Sequence, residues 1–171
     1  SSWTRGVMGA NVATTIDDIK DGTTNTLLLA ELRVGLAAVD RRGTWALGGA
    51  GASSLWLHGS GDCIGPSACS ASADNLLNCS DIQTAVGADR LKAECMGCNP
   101  GGGSTQATAR GRHSGGVMVA LGDGSVRFIS DYIEKGSLWD LDPAVVTAAE
   151  FGVWERLCAS ADRQVIGASS F

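Results

Sequence analysis

Residues 112–130 read RHSGGVMVALGDGSVRFIS, and this stretch decides the fold. Two alternating apolar runs, Val117 to Leu121 and Val126 to Ile129, flank Asp123-Gly124. Asp-Gly between such runs is among the strongest short-range signals for a β-hairpin. A two-residue turn sets Leu121 opposite Val126 and Val119 opposite Phe128, so these four and Val117 are expected on one face, turned to the core. His113 stands ten residues before Asp123, ahead of the strand that begins near Gly116. A strand rises roughly 3.3 Å per residue, which holds the two side chains too far apart for an acid–base pair or a shared metal. The expectation is that Asp123-Gly124 makes the turn and His113 anchors the start of the hairpin by hydrogen bonds.

Upstream, Thr26 to Leu32 has strand composition with leucines on both faces, the mark of a central strand. Before it, Thr15 to Ile19 reads as a short capped turn and Asp21-Gly22 as a tight one. Gly43 to Leu47 and Leu55 to His58 read as two further short strands. Downstream, Asp142-Pro143 places an N-cap and a proline at the first helical position. Phe151 to Ala159 continues helically, and Gln164 to Ile166 closes the chain as a short strand. The prediction is a single domain over 1–171, of α+β class: an antiparallel, hairpin-rich sheet with a few short helices and a disulfide-braced insert at about 59–112. Within that insert, Ser80-Asp81-Ile82-Gln83 reads as a capping box opening one helix that carries Ala85, Val86 and Leu91.

The cysteines are Cys63, Cys69, Cys79, Cys95, Cys98 and Cys158, and five of the six lie in the insert. The insert is rich in Gly, Ser and Asn and poor in large apolar residues, so burial alone is not expected to order it; cross-links are the usual remedy. An even count fits disulfides, with more pairings than a sequence can choose among. The alternative is a zinc site built on the Cys95-x-x-Cys98 spacing with Cys63, Cys69 or Cys79, but no second C-x-x-C supports it. Disulfides point outside the cytoplasm.

With 24 glycines in 171 residues, 18% charged residues and 44% hydrophobic ones, the chain is no disordered polymer. Its net charge of −5 gives no basic footprint for nucleic acid, and no apolar run approaches the roughly 18 residues of a membrane helix. Catalytic signatures are missing as well. His58 and His113 are the only histidines, there is no Gly-x-Ser-x-Gly or His-Glu-x-x-His, and Gly101 to Gly103 is not followed by the Lys-Ser/Thr of a phosphate loop. The five tryptophans, Trp3, Trp45, Trp56, Trp139 and Trp154, read as core and interface anchors rather than a sugar platform. No cofactor is called for except calcium. Asp17, Asp18, Asp21 and Asn25 fall within nine residues and offer the oxygen ligands that ion takes. The plainer reading has them cap a helix and shape a turn.

His113-x9-Asp123-Gly124 closely resembles the signature of the prepilin-type processing-associated His-x9-Asp-Gly family, pilin-like proteins abundant in planctomycete-type bacteria. Three further blocks agree in order. They are IDDIKDGTTNTLLLAE (Ile16 to Glu31), RGTWALGGAGASSLWLHG (Arg42 to Gly59) and FGVWERLCASADRQVI (Phe151 to Ile166), the last with Asp162-Arg163-Gln164 where Gly-Gly-Glu is more usual. The resemblance implies an exported protein related to type IV pilins and type II secretion pseudopilins, located outside the cell or on its surface. It implies no enzymatic activity. It also raises the standing of calcium, which related pseudopilins bind in a loop of the globular domain. Such proteins carry an N-terminal leader and a long apolar helix, and neither is seen in a chain that begins at Ser1. The function expected is therefore that of a structural subunit whose globular surfaces self-associate into a filament, tube or secretion-linked assembly, with itself and a secretion or pilus machinery as partners. The alternative is a secreted glycan- or substrate-binding module; a metal-dependent hydrolase ranks behind both.

Overall fold

The computed structural model describes residues 6–8, 13–47, 65–102, 107–136, 150–167 and 170. Strands β1 (Leu27–Ala30), β2 (Gly116–Leu121) and β3 (Val126–Ser130) form one antiparallel sheet in the order β1-β2-β3. Helices α1 (Cys79–Val86) and α2 (Ala88–Ala93) build the insert, and α3 (Val153–Cys158) packs against the sheet. The chain is thus a small α+β domain, as its hairpin and scattered helical segments predict. The expected strand at Leu55 to His58, the helix start at Asp142-Pro143, and Trp3, Trp56, Trp139, Cys63 and His58 lie outside the described residues.

The hairpin forms, but its turn is one residue longer than expected. The Gly124 N–H donates to the Leu121 carbonyl (2.9 Å) and the Leu121 N–H to the Ser125 carbonyl (2.9 Å), which leaves Gly122, Asp123 and Gly124 as the loop. Gly124 adopts φ +83°, the left-handed conformation that ends three-residue hairpin loops. Asp123 Oδ1 accepts from both the Ser125 N–H (2.9 Å) and its hydroxyl (2.7 Å), locking the turn. The extra residue shifts the register, so that Ala120 faces Val126, Met118 faces Phe128 and Val117 faces Ile129. Because side chains alternate, a slip of one exchanges the two faces of β3. Ile129 enters the core while Val126 (63% exposed) and Phe128 (46%) turn outward, against the expectation that both are core.

β2, not the leucine-rich β1, is the central strand. The leucines on both faces of β1 have another cause: Leu27 pairs with Leu121 and Leu29 with Ala120, leaving Leu28 as a bulge that re-aims its neighbours. On the inner face Val117, Val119, Leu121 and Ile129 meet Val153, Trp154 and Leu157 of α3. The helix starts where Oε2 of the buried Glu155 accepts the Gly152 N–H (3.0 Å) and the Gly136 N–H (2.8 Å), so a buried acid serves as a cap. Two expected strands are absent. Residues 43–47 turn through Thr44 N–H to Arg41 and Leu47 N–H to Thr44 bonds, leaving Trp45 90% exposed. The 164–166 tail is held by side chains instead of a ladder, as described below.

The insert is braced by disulfides, as expected, and the bridges gather a small apolar core around them. Leu76, Ile82, Leu91 and Met96 surround the Cys79–Cys98 disulfide in a core of their own. Asn78, rather than Ser80, is the N-cap of α1, because Cys79 is drawn into the first turn by its bond to Cys98. Cys69–Cys95 is the second disulfide. The Cys95-x-x-Cys98 pair is therefore divided between two bridges and holds no zinc. Their loops of 26 and 19 residues place the entropic gain at about 3 kcal/mol each. Cys158 corrects the expectation of six bridged cysteines: it makes no disulfide among the described residues. It packs beside the sheet core, away from the bridged thiols, where burial and then the Glu155 charge push its thiol up.

Four buried charges join the two cores. Arg42 grips Asp40 with Nε (2.9 Å) and Nη2 (2.7 Å), while its Nη1 donates to Asp74 (2.7 Å) and to the Met96 carbonyl (2.9 Å). Arg110 donates to the same Asp74 oxygen (2.6 Å) and to the Ala68 carbonyl (2.7 Å). Burial pushes the Arg42 guanidinium down, but Asp40 and Asp74 outweigh it and hold it above its ordinary value. Removing one member of such a network strands buried charge. Asp74→Ala is accordingly expected to cost about 3–5 kcal/mol in urea unfolding of the oxidised protein, and an unchanged midpoint would refute the coupling.

Candidate functional site

The site grows from Glu31, the residue after β1. Its N–H donates to the Met118 carbonyl (3.1 Å) and its carbonyl accepts the Arg110 N–H (2.8 Å). Its carboxylate has two partners: Oε2 accepts the Met118 N–H (2.9 Å), and Oε1 lies 3.1 Å from His113 Nε2. The His113 ring also meets Phe128 edge-on, with centroids 6.5 Å apart. Gly111 admits this arrangement, since a Cβ there would stand 2.4 Å from Glu31 Oε2. One carboxylate thus ties the end of β1, the middle of β2 and the segment leading into the hairpin.

Beyond this latch, residues 31–36 and 110–113 wall an open groove of about 530 Å³. Arg33 on one wall donates to the carbonyl and the carboxylate of Glu94. That bond and the Arg33 charge hold the Glu94 carboxyl below its usual range, and Arg112 and Arg90 add to the effect. Arg110 turns its guanidinium away to Asp74, whereas Arg112 is exposed.

His113 and Asp123 occupy opposite ends of β2, and each is spent on its own contact. The Asp123 carboxyl lies below its usual range because the Ser125 hydroxyl and amide both donate to it. The calcium candidates do not converge either. Asp18 accepts from the Thr15 N–H (2.9 Å) and hydroxyl (2.8 Å), so the expected capped turn forms there. Asp17 is exposed, its carbonyl accepting from Lys20, and the Asn25 N–H closes a turn onto Gly22. Asp21 instead reaches the far end of the chain: Oδ2 accepts the Asp162 N–H (2.8 Å) and Oδ1 the Arg163 N–H (2.7 Å). Among the described residues no three His, Cys, Asp or Glu side chains stand close enough to share a metal. Asp162 is the neighbour that sequence reasoning missed. It is buried, its Oδ1 accepts the Gln164 N–H (2.7 Å) and its Oδ2 has no partner among the described residues. Burial pushes the Asp162 carboxyl up, and the Asp21 charge pushes it further.

The family model described as "Protein of unknown function (DUF1559)" matches residues 1–136. The chain belongs to that family. No curated protein and no solved structure matches it. In this DUF1559 member the matched stretch contains Glu31, His113, the ion network and every wall of the groove; α3 and Asp162 follow it. The two disulfides among the described residues are the chemistry of an oxidising compartment. Among the described residues no helix is long and apolar enough to cross a membrane.

Two outcomes follow from these contacts. Glu31→Ala leaves the Met118 amide without its side-chain acceptor. It should cost about 1–3 kcal/mol and speed hydrogen exchange at Met118, and an unchanged exchange rate would count against the latch. For Asp162 the folded-state carboxyl sits above its unfolded value of about 3.9, so stability is lost as pH rises from there through the folded value. Asp162→Asn escapes that loss. Its urea midpoint should match wild type near pH 3 and exceed it at pH 7, and a constant difference across that range would overturn the assignment.

Proposed function

We propose that the chain is an exported, pilin- or pseudopilin-like structural subunit. It works outside the cell or on its surface, by association of its globular surface with further copies into a filament, tube or secretion-linked assembly. The observation that carries this reading is the outer face of the sheet. Leu29, Ala120 and Val126 stand in one row across all three strands, with Met118 and Phe128 in the next. Leu29 is 59% exposed and joins Val126 and Phe128 in an apolar face open to solvent. Such patches mark association surfaces in otherwise well-packed domains.

The resemblance of the 16–31, 42–59, 112–130 and 151–166 blocks to the His-x9-Asp-Gly family supports the same reading, as do the disulfides. A structural role also suits the motif residues: His113 is tied to Glu31, and Asp123 to Ser125. Electron microscopy and sedimentation of the oxidised chain supply the test. Ordered polymers or concentration-dependent oligomers are expected from wild type, with Val126→Glu plus Phe128→Glu shifting the chain to monomer. Wild-type protein that stays monomeric at high concentration would overturn the reading.

A further inference from the structure

The two edges of the sheet are unlike. β1 is only four residues long and is interrupted by the Leu28 bulge, a device that discourages further pairing. β3 has no such guard. Val126–Ser130 keeps an unbroken register against β2 and contains neither lysine nor proline.

The ladder fixes where the backbone groups of β3 point. The Leu121 N–H donates to the Ser125 carbonyl at one end and the Asp131 N–H to the Gly115 carbonyl at the other. Alternation between those bonds turns the N–H and C=O groups of Arg127 and Ile129 toward β2, and those of Val126, Phe128 and Ser130 away from it. Among the outward groups only the Ser130 carbonyl has a partner in the described residues, the Ile133 N–H (3.1 Å). Val126, Phe128 and Ser130 are all exposed. Such a row is a template for an added strand.

The strand is also complementary to itself. Paired antiparallel with a second β3 about Phe128, it sets Phe128 opposite Phe128 and Val126 opposite Ser130, so each outward N–H meets an outward C=O. The two rings add an aromatic pair. On the opposite face Arg127 becomes the diagonal neighbour of Asp131 of the second copy, within reach of a long side chain, and the twofold repeats that pairing. The neighbouring registers are poorer. Centring on Arg127 puts two guanidinium groups directly opposite each other, which is destabilising. Centring on Ile129 carries the pairing past Ser130 into the turn that the Ile133 N–H closes.

We infer that β3 is the edge at which two copies join, antiparallel and in register about Phe128, into one continuous sheet. The inference rests on the self-association proposed above and names its first step. The contact is isologous and closes on a pair. Its twofold axis stands perpendicular to the sheet, so the apolar rows of both copies lie on the same side and double the face left for growth.

Cysteine cross-linking of the full chain under mild oxidation tests the register, with wild type as the control for its own cysteines. About Phe128, the two Phe128 Cα atoms stand about 5.5 Å apart, a separation a disulfide spans. The two Val126 sites lie about 13 Å apart along the strands, beyond its reach. Phe128→Cys is therefore expected to give covalent dimer and Val126→Cys none. Val126→Cys mixed with Ser130→Cys should give dimer again, and this pair keeps Phe128 in place. Val126→Cys dimerising alone as well as Phe128→Cys does, or no dimer from any of these, overturns the edge pairing even where wild-type oligomers persist through the sheet face. Wild-type protein that stays monomeric in sedimentation at high concentration overturns the self-association reading, and the paired edge with it.

Discussion

Everything else in this fold leans on one carboxylate shared by two arginines. Asp74 is fully buried between Arg42 and Arg110, and Asp40 balances the remaining charge. Taking four charges out of water is costly, and their mutual attraction returns the cost only where geometry and hydrogen bonding are complete. Here they are nearly so. Arg42 uses all three of its guanidinium nitrogens, and Asp74 Oδ1 also accepts the Thr108 N–H (3.2 Å). The gain lies less in net stability than in uniqueness. The network sets the insert, through Asp74 and Met96, against the segment that begins the hairpin, through Arg110. The groove inherits its shape from this arrangement: one wall is fixed where the Arg42 carbonyl accepts the Gly35 N–H and Asp40 the Leu36 N–H, the other where Arg110 is pinned.

Little of that network is legible in the sequence. Arg42 and Arg110 lie 32 and 36 residues from Asp74, and nothing local distinguishes these charges from solvated ones. What sequence does show is Arg42 within an Arg-Gly-Thr-Trp block, a recurrent string whose physical use becomes clear only when the guanidinium is seen buried. The same holds for the insert. Its apolar residues, Leu76, Ile82, Leu91 and Met96, are too sparse to show a helical period, yet two disulfides bring them into one cluster. Local signals fare better where local physics decides. The Thr15–Asp18 cap, α3 and the hairpin all form where side chains within a few residues specify them.

The hairpin shows where local reading stops. Asp123-Gly124 marks a turn under either loop length, because both use an acceptor side chain followed by a glycine at positive φ. Two-residue and three-residue loops differ by a single position, and the difference lies in whether Gly122 or Leu121 pairs with Ser125. With the longer loop, β3 presents Ile129 inward and Val126 and Phe128 outward. α3 then needs to cover only one face of the sheet, and it supplies Val153, Trp154 and Leu157 for that purpose. Those residues fall after position 136, where the family match ends, so the inner face is completed from beyond the matched stretch, while the outer face is written wholly within it.

That division bears on how the outer face should be understood. An exposed phenylalanine or valine alone needs no explanation, since folded surfaces are rich in apolar atoms. A row shared by three strands is different, because strand alternation repeats the same choice at each of them. Leu29 is turned outward by a bulge, Val126 and Phe128 by a loop one residue longer than the minimum, and Met118 and Ala120 by the alternation of β2. The bulge and the loop are separate devices, and they act on the two edge strands in the same sense. Phe128 is held in that orientation by the His113 ring, which Glu31 fixes in turn. The His113 and Asp123 of the motif thus act on one feature from its two ends: Asp123 sets the loop that turns β3 outward, and His113 steadies the aromatic side chain the loop exposes.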